Sequence, residues 1–409
     1  MKLNVLQLIG NFEQGGSERQ AVQLARSLAE RGHYRLHIAC LDSNGPLRRE
    51  AEEALAVSSA ERGLPSNTNR EIESFPLTSF YDLHAVREMR KFVRFLKREQ
   101  IHIVQSHDFY TNIFGMTGGW LARVPIRIAA KRETGEWRSD AQKCAERLSF
   151  KLASSIVVNS SAVGERLISE GVTSSQIVKI YNSVDRSRVT TPDEFNRREA
   201  MASFGLPLLS RARLVTIVAN MRHEVKDHRT FLKAAKLVLE SNRDVRFLLA
   251  GEGPLVETLK AFAGELNIQN NCHFLGRCDR VSELLSISDV CVLSSVSEGF
   301  SNSILEYMSA GRAVVATDTG GAAEAVIEGQ TGFLVPVGDY GGMSGRILFL
   351  LDNPTIAKTM GESGRRLVEQ RFSPHRQVVE TERLYDGLAL GLRRNRLELI
   401  TNRNLKSQI

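Results

Sequence analysis

The sequence predicts an α/β protein of two doubly wound domains, each a parallel sheet with helices on its faces. Three observations carry this reading. Short apolar runs alternate with helical periods from residue 3 to about 180, and the alternation restarts near residue 214. A polar stretch over 185–210 separates the two series. The 409 residues exceed one average domain and fit two of roughly 150–200 residues each.

In the first series, residues 3–9 read as a strand, too short for a signal peptide and ending at the turn Asn11-Phe12-Glu13-Gln14-Gly15-Gly16. A helix over 17–31 follows, with Ala21, Val22, Leu24, Ala25, Leu28 and Ala29 on its apolar face and Ser17 and Gln20 at capping-box spacing. A strand over 36–41 ends at Asp42. This opening looks like a dinucleotide fold, but G-N-F-E-Q-G-G leaves the three glycine roles of G-x-G-x-x-G unfilled, which disfavours a dinucleotide dehydrogenase. Residues 50–78, with Ser, Asn, Pro and Arg in excess, are expected to form a mobile excursion.

Residues 83–99 form a helix with Arg87, Arg90, Lys91, Arg94, Lys97 and Arg98 on about a third of its circumference and Met89, Phe92, Val93 and Leu96 opposite. The plain description is a solvated face over a buried stripe, and the sharper one is peripheral contact with an anionic membrane surface. Strands over 101–106, 126–130, 155–158 and 177–180 complete the series. They lead to His107 and Asp108, to Lys131-Arg132-Glu133, to Asn159, and to Tyr181-Asn182-Ser183-Val184-Asp185.

The second series has strands over 214–220, 245–250 and 273–275, the second turning at Gly251-Glu252-Gly253-Pro254 and the third at Gly276. Phe231, Ala234, Ala235 and Val238 give the helix 230–239 its apolar side. Buried-type strands over 290–293 and 313–316 flank a loop and a helix over 303–310, which Ser301 or Asn302 can cap and Gly311 can stop. Gly320-Gly321 and a strand over 333–335 follow. Beyond Pro374 a helix runs through Val378, Leu384, Tyr385 and Leu388, and the basic tail after Leu392 is expected to fray.

Composition narrows the class. At 42% hydrophobic and 25% charged residues the chain reads as a soluble globular protein, and it holds no apolar run of about 18 residues that could span a membrane. Cys40, Cys144, Cys272, Cys278 and Cys291 form no C-x-x-C pair, which argues against a disulfide framework or zinc site and for a reducing, cytoplasmic setting. A net charge of +7 favours anionic partners, and phosphorylated substrates or a lipid surface meet it as well as nucleic acid does.

The chemistry concentrates in the second series. Glu298 lies in the loop after strand 290–293 and Glu306 about two turns into the next helix, so both can face the crevice at the carboxyl ends of the strands. The same loop brings a helix N-terminus there, whose N–H groups suit phosphate or sugar oxygens. Arg222 and Lys226, four apart after strand 214–220, can reach one point if that segment is a helical turn, and would suit a diphosphate leaving group.

Two bare glutamates would equally describe an ordinary βαβ unit. The composite E-G-F-S-N-S-I-L-E-Y-M-S-A-G, with seven residues between Glu298 and Glu306, resembles the signature of the family-four retaining glycosyltransferases, which have the two-domain GT-B fold. It matches at Glu298, Gly299, Phe300, Asn302, Glu306 and Gly311. Arg222 and Lys226 resemble the family's R-x-x-x-K phosphate pair, and Gly15-Gly16-Ser17-Glu18 its GG-x-E turn. Asn182 to Asp185 resembles the I-x-N-G-V-D that closes the first domain, with Ser183 in place of glycine.

The resemblance implies roles. Gly16 would face the donor's phosphates, Gly276 and Arg277 would read the base, and Glu306 would hold the ribose hydroxyls. Glu298 would face the donor sugar, with backbone N–H groups of Phe300, Ser301 and Asn302 near sugar and phosphate. The chain contains no D-x-D triplet, so no metal and no cofactor are expected, the two cations serving instead. The histidine that many relatives carry after the strand at 126–130 is missing. His107, with Asp108, is the nearest catalytic candidate, a structural histidine being the alternative, and Glu133 could hold an acceptor hydroxyl. Retaining chemistry would then proceed by departure and attack on one side of the sugar.

The resulting expectation is GT-B architecture with an acceptor-side domain at 1–185, completed by a C-terminal helix at 375–409 crossing back to it, and a donor domain at 186–374. The activity expected is transfer of a sugar from a nucleotide diphosphate, uridine ahead of guanosine, to a glycan or lipid-linked acceptor in bacterial surface polysaccharide or glycolipid synthesis. No nucleic-acid partner is expected. A nucleotide-sugar epimerase or phosphorylase on the same fold, or an inactive nucleotide-binding paralogue, are the alternatives. Intact Arg222, Lys226, Glu298 and Glu306 argue against the paralogue.

Overall fold

A computed structural model describes residues 2–60, 71–77, 79, 82–133, 138–185, 189, 196–206 and 212–406, with the backbone alone for 59, 60 and 393–406. The chain divides into two compact units, Met1–Tyr181 with Pro374–Ile409, and Asn182–Ser373. Among the described residues no helix is long and apolar enough to cross a membrane.

The first unit runs β1 (Asn4–Ile9), α1 (Gly16–Arg31), β2 (Arg35–Cys40), α2 (Arg48–Ala60), β3 (Glu73–Ser74), α3 (Leu83–Arg98), β4 (Ile103–Ser106), α4 (Phe109–Leu121), β5 (Ile126–Lys131), α5 (Asp140–Leu152), β6 (Ser155–Val158), α6 (Ser161–Ser169) and β7 (Ile177–Lys179). Its sheet has the order β3-β2-β1-β4-β5-β6-β7, parallel throughout. Successive side chains of β1 serve opposite faces, as the pleat requires. Leu6 and Leu8 join Phe92, Phe95 and Phe114 of α3 and α4 in one core. Val5 joins Leu24, Leu28, Ile103, Val378 and Tyr385 in another. Both faces are therefore covered, which is why the strands read as continuous apolar runs.

The second unit runs α7 (Arg197–Ser203), β8 (Arg213–Val218), α8 (His228–Ser241), β9 (Val245–Ala250), α9 (Val256–Glu265), β10 (Cys272–Gly276), α10 (Val281–Ile287), β11 (Val290–Leu293), α11 (Asn302–Ser309), β12 (Ala313–Thr317), α12 (Ala322–Ala325), β13 (Gly332–Val335), α13 (Tyr340–Asp352) and α14 (Pro354–Arg371). The sheet order is β10-β9-β8-β11-β12-β13, again parallel. The final helix, α15 (Pro374–Lys406), packs on the first unit. Tyr385 is fully buried there, and Glu382 accepts from Arg31 Nε at 2.8 Å while Tyr34 donates to Asp386 at 2.8 Å.

Four local expectations are corrected. The stretch 50–78 contains α2 and β3, its residues 61–70 and 78 lying outside the described ones. The α2 face is Ala51, Ala54 and Leu55, two of them small side chains, which gives a weak periodic signal. The polar stretch after Asp185 contains α7, capped by Asn196. The chain after Leu392 continues as helix to Lys406. The capping box at Ser17 and Gln20 does not form: α1 starts at Gly16, and the buried Gln20 accepts instead from Gln377 Nε2 at 3.0 Å.

Candidate active site

In each sheet the strand order reverses at one point, between β1 and β4 in the first unit and between β8 and β11 in the second. The crevice beyond the carboxyl ends of such a strand pair is where open α/β sheets bind ligands. In the second unit, Arg222 and Lys226 follow β8 and Glu298 follows β11, so both groups stand at that reversal.

Lys226 ends a 3-10 turn at Glu224–Lys226, and its Nζ forms an ion pair with Glu298 Oε1. The pair is mostly buried, and Ser295 Oγ donates to the same carboxylate oxygen at 2.7 Å. Ser294 Oγ donates to Lys226 O at 2.8 Å, tying the two loops together. The predicted convergence of Arg222 and Lys226 is corrected: Arg222, more than half exposed, reaches Glu252 at 3.5 Å, in the turn after β9. The tight 3-10 turn and the left-handed Asp227 that caps α8 send the two side chains to different carboxylates.

The helix carrying the second glutamate is pinned from below. Tyr307, fully buried, accepts from Val218 N–H at 2.6 Å and donates to Val292 O at 3.2 Å, and Ser303 Oγ donates to Val218 O at 2.8 Å. These bonds fix α11 to the ends of β8 and β11. Ser301 stands at its N-cap without a side-chain cap bond. Glu306 is half-buried and lies just over one turn after Asn302, the first residue of α11, rather than the two turns expected. The Gly311 φ of +67° ends the helix as expected.

Gly299 O accepts from Gly321 N–H at 2.8 Å, and Gly320 sits so close that a Cβ there would lie 1.9 Å from Glu298 O. The Gly320-Gly321 turn is therefore the floor of the Glu298 loop. Gly276, at φ +64°, accepts from Gly251 N–H at 2.8 Å, and Arg277 beside it reaches Asp279 at 3.3 Å.

The first unit holds a cavity of about 520 Å³ at its own reversal point, lined in part by Gly10, Glu18, Asp42, Asp108, Glu133 and Arg138. Asp108 caps α4 through Thr111 N–H at 3.0 Å. Burial raises its pKa, with backbone and side-chain bonds opposing. Burial pushes Glu18 up to about 6, the Asp108 charge adding to it. Arg138 pairs with both Glu133 and Glu146 and stacks 4.1 Å over Phe109, while Lys131 holds the other oxygen of buried Glu146 at 2.7 Å. Gly16 begins α1 outside the residues lining this cavity.

His107 is placed differently from its catalytic expectation. It is buried, absent from the cavity lining, and its Nε2 donates to Gln7 Oε1 at 2.7 Å. Gln7 donates in turn to Tyr385 at 2.9 Å, and Tyr385 to Gln105. Burial holds the imidazole well below its ordinary pKa, so it is neutral. The ring is a member of a buried network between β1, β4 and α15, and its buried Nδ1 has no hydrogen-bond partner. Among the described residues no group of three His, Cys, Asp or Glu side chains is placed to hold a metal ion. Sequence reasoning passed over Ser295, Tyr307 and the side chain of Asn182, whose partners lie on other elements and leave no local pattern.

Comparison with known proteins agrees on both halves. The family described as Glycosyltransferase Family 4 matches residues 14–188, and Glycosyl transferases group 1 matches residues 202–367. EpsD of Bacillus subtilis (strain 168) is 34% identical over 162 residues, 40% of this chain and 42% of EpsD. The N-acetyl-alpha-D-glucosaminyl L-malate synthase of Bacillus anthracis is 32% identical over 210 residues, 51% of this chain and 53% of that protein. The chain thus spans about half the length of these two relatives. Anabaena Alr3699/HepE, solved in complex with UDP and glucose, has the same fold, with a TM-score of 0.79 at 20% identity over 95% of this chain and 99% of that one. With a parallel α/β unit on each side of residue 182 and a family match on each unit, the chain belongs to the family-four glycosyltransferases of GT-B fold.

Proposed function

We propose that the protein is a retaining glycosyltransferase that moves a sugar from a nucleoside diphosphate, UDP favoured, to an acceptor hydroxyl, in bacterial surface polysaccharide or glycolipid synthesis. The observation that carries this is the pairing of Lys226 with Glu298 at the β8/β11 reversal, beside the N-terminus of α11. A diphosphate there would take Lys226 Nζ in exchange for Glu298, while Ser295 keeps the released carboxylate turned to the crevice. Sugar hydroxyls can donate to that carboxylate. Charge growing on the departing phosphate would meet Lys226 and the α11 N–H groups, so no metal is needed for this role. Glu306 would hold the ribose, and Gly276 and Arg277 the base.

The acceptor would enter the first unit's cavity, whose Glu18, Asp108 and Glu133 accept hydrogen bonds from hydroxyl groups. The test is transfer from a panel of UDP- and GDP-sugars in EDTA, with the anomeric configuration of the product read by NMR. Retention of configuration with one base is expected. Inversion, or donor epimerised or hydrolysed as fast without acceptor as with it, would replace this reading.

A lipid-linked acceptor is favoured by α3, where Arg87, Arg90, Lys91, Arg94, Lys97 and Arg98 are all exposed over a face burying Phe92, Phe95 and Leu96. Each charge near an anionic surface contributes on the order of 1 kcal/mol, screened over roughly 8–10 Å. Co-sedimentation with anionic vesicles should be strong at low salt, weak at high salt, and lost when Arg87, Arg90 and Arg94 become Glu. Unchanged sedimentation would leave α3 a solvated face.

A further inference from the structure

Asn182 is the first residue of the second unit, and its side chain is buried. Its Nδ2 donates to Phe300 O at 3.1 Å and to Asn302 Oδ1 at 2.9 Å. One amide thus grips the backbone and a side chain on either side of Ser301, at the point where the Glu298 loop enters α11. Ser301 supplies no side-chain cap, so the local sequence does not by itself fix that entry. Two residues on, Val184 N–H donates to Phe372 O at 3.1 Å, and the Phe372 ring lies 5.3 Å from that of buried Phe300. The loop is therefore strapped from behind by the two segments through which the chain passes from one unit to the other, 182–184 and 372–373.

The chemistry demands a primary amide. Two acceptor oxygens face Nδ2, and each of its two hydrogens serves one of them. An aspartate of the same size would set a carboxylate against both.

We propose that Asn182 is a positioning residue for the donor: it holds Phe300 and Asn302 so that the backbone N–H groups at the head of α11 meet the donor's diphosphate. This rests on the reading of the second unit as the donor site. Asn182 touches no reacting atom, so its removal should disturb phosphate recognition and leave base recognition alone.

The experiment is titration of UDP and of uridine into wild type, Asn182→Ala and Asn182→Asp, followed by NMR, with thermal midpoints recorded for each. UDP affinity should fall at least tenfold in Asn182→Ala and further in Asn182→Asp, with uridine affinity changed less than twofold. Should Asn182→Asp fail to fold, Asn182→Ser, which keeps one donor, should fall between wild type and Asn182→Ala. UDP affinity unchanged in the variants, or UDP and uridine lost equally, would overturn the proposal. Wild type that binds no nucleoside diphosphate would overturn the donor-site reading itself, a result separate from any difference between variants.

Discussion

Glu298 and Glu306 are the same side chain in different surroundings, one bonded to Lys226 and Ser295 in a loop, the other half-buried on α11. Their removal should separate. Glu306→Gln should weaken binding of the free nucleotide, which contains the ribose. Glu298→Gln should spare the nucleotide and weaken only the sugar-bearing donor. Titration of both ligands into both variants checks this, and equal loss of nucleotide binding would undo the division of roles. At this scale the sequence was legible where residues share a loop or helix, as from Glu298 to Gly311. It misdirected at His107, because the end of a strand locates a backbone without saying which way a side chain turns. The ring turned towards Gln7, 100 residues away in the chain. Asn182 was legible as part of a motif, but not its grip on Phe300 and Asn302.

At the scale of elements, every strand placed by an apolar run is present, and each ends within two or three residues of its expected limit. Of the elements that the sequence reading did not place, which also include α4, α5, α9, α10, α12, α13 and α14, α2, β3 and α7 present few large apolar side chains or are only two residues long. Parallel sheets covered on both faces declare themselves by composition, whereas a helix that buries alanines does not. The contact between the Gly320 turn and the Glu298 loop was equally hidden. Gly320 has φ +56° and no room for a Cβ. Gly320→Ala should therefore destabilise the second unit by roughly 2 kcal/mol or more, from left-handed strain plus the clash. It should also impair donor binding by moving Glu298. Denaturant unfolding together with donor titration checks both, and a neutral substitution would remove the turn from the account.

At the scale of the whole molecule, the two reversals of strand order were the part of the fold most useful to function, since each collects titratable groups that lie far apart in sequence. Burial of these groups links stability to pH. His107 is held well below its ordinary pKa, and His228 is lowered to about 4, both by burial. The unfolded chain takes these protons near pH 6.5 and the folded one does not, so this stability is complete above pH 6.5 and is lost as the pH falls towards 4. Glu18 acts in the opposite sense. Its folded carboxyl keeps a proton to about pH 6 against 4.5 unfolded, so its cost grows between those values and is constant above. Glu18→Gln should therefore raise stability by up to roughly 2 kcal/mol above pH 6 and change nothing below pH 4.5. Urea unfolding of variant and wild type across pH 4–8 measures the difference.

The central claim is that the β8/β11 crevice binds the diphosphate of a nucleotide donor through Lys226, without a metal. Calorimetric titration of UDP, GDP and ADP in EDTA into wild type and Lys226→Ala tests it most directly. One of these should bind, UDP first, unaffected by EDTA, and more weakly in the folded variant by roughly 1.5–3 kcal/mol, the range of one lost hydrogen bond to a charged group. Wild type that binds none of the three, or Lys226→Ala that binds as tightly as wild type, would contradict it.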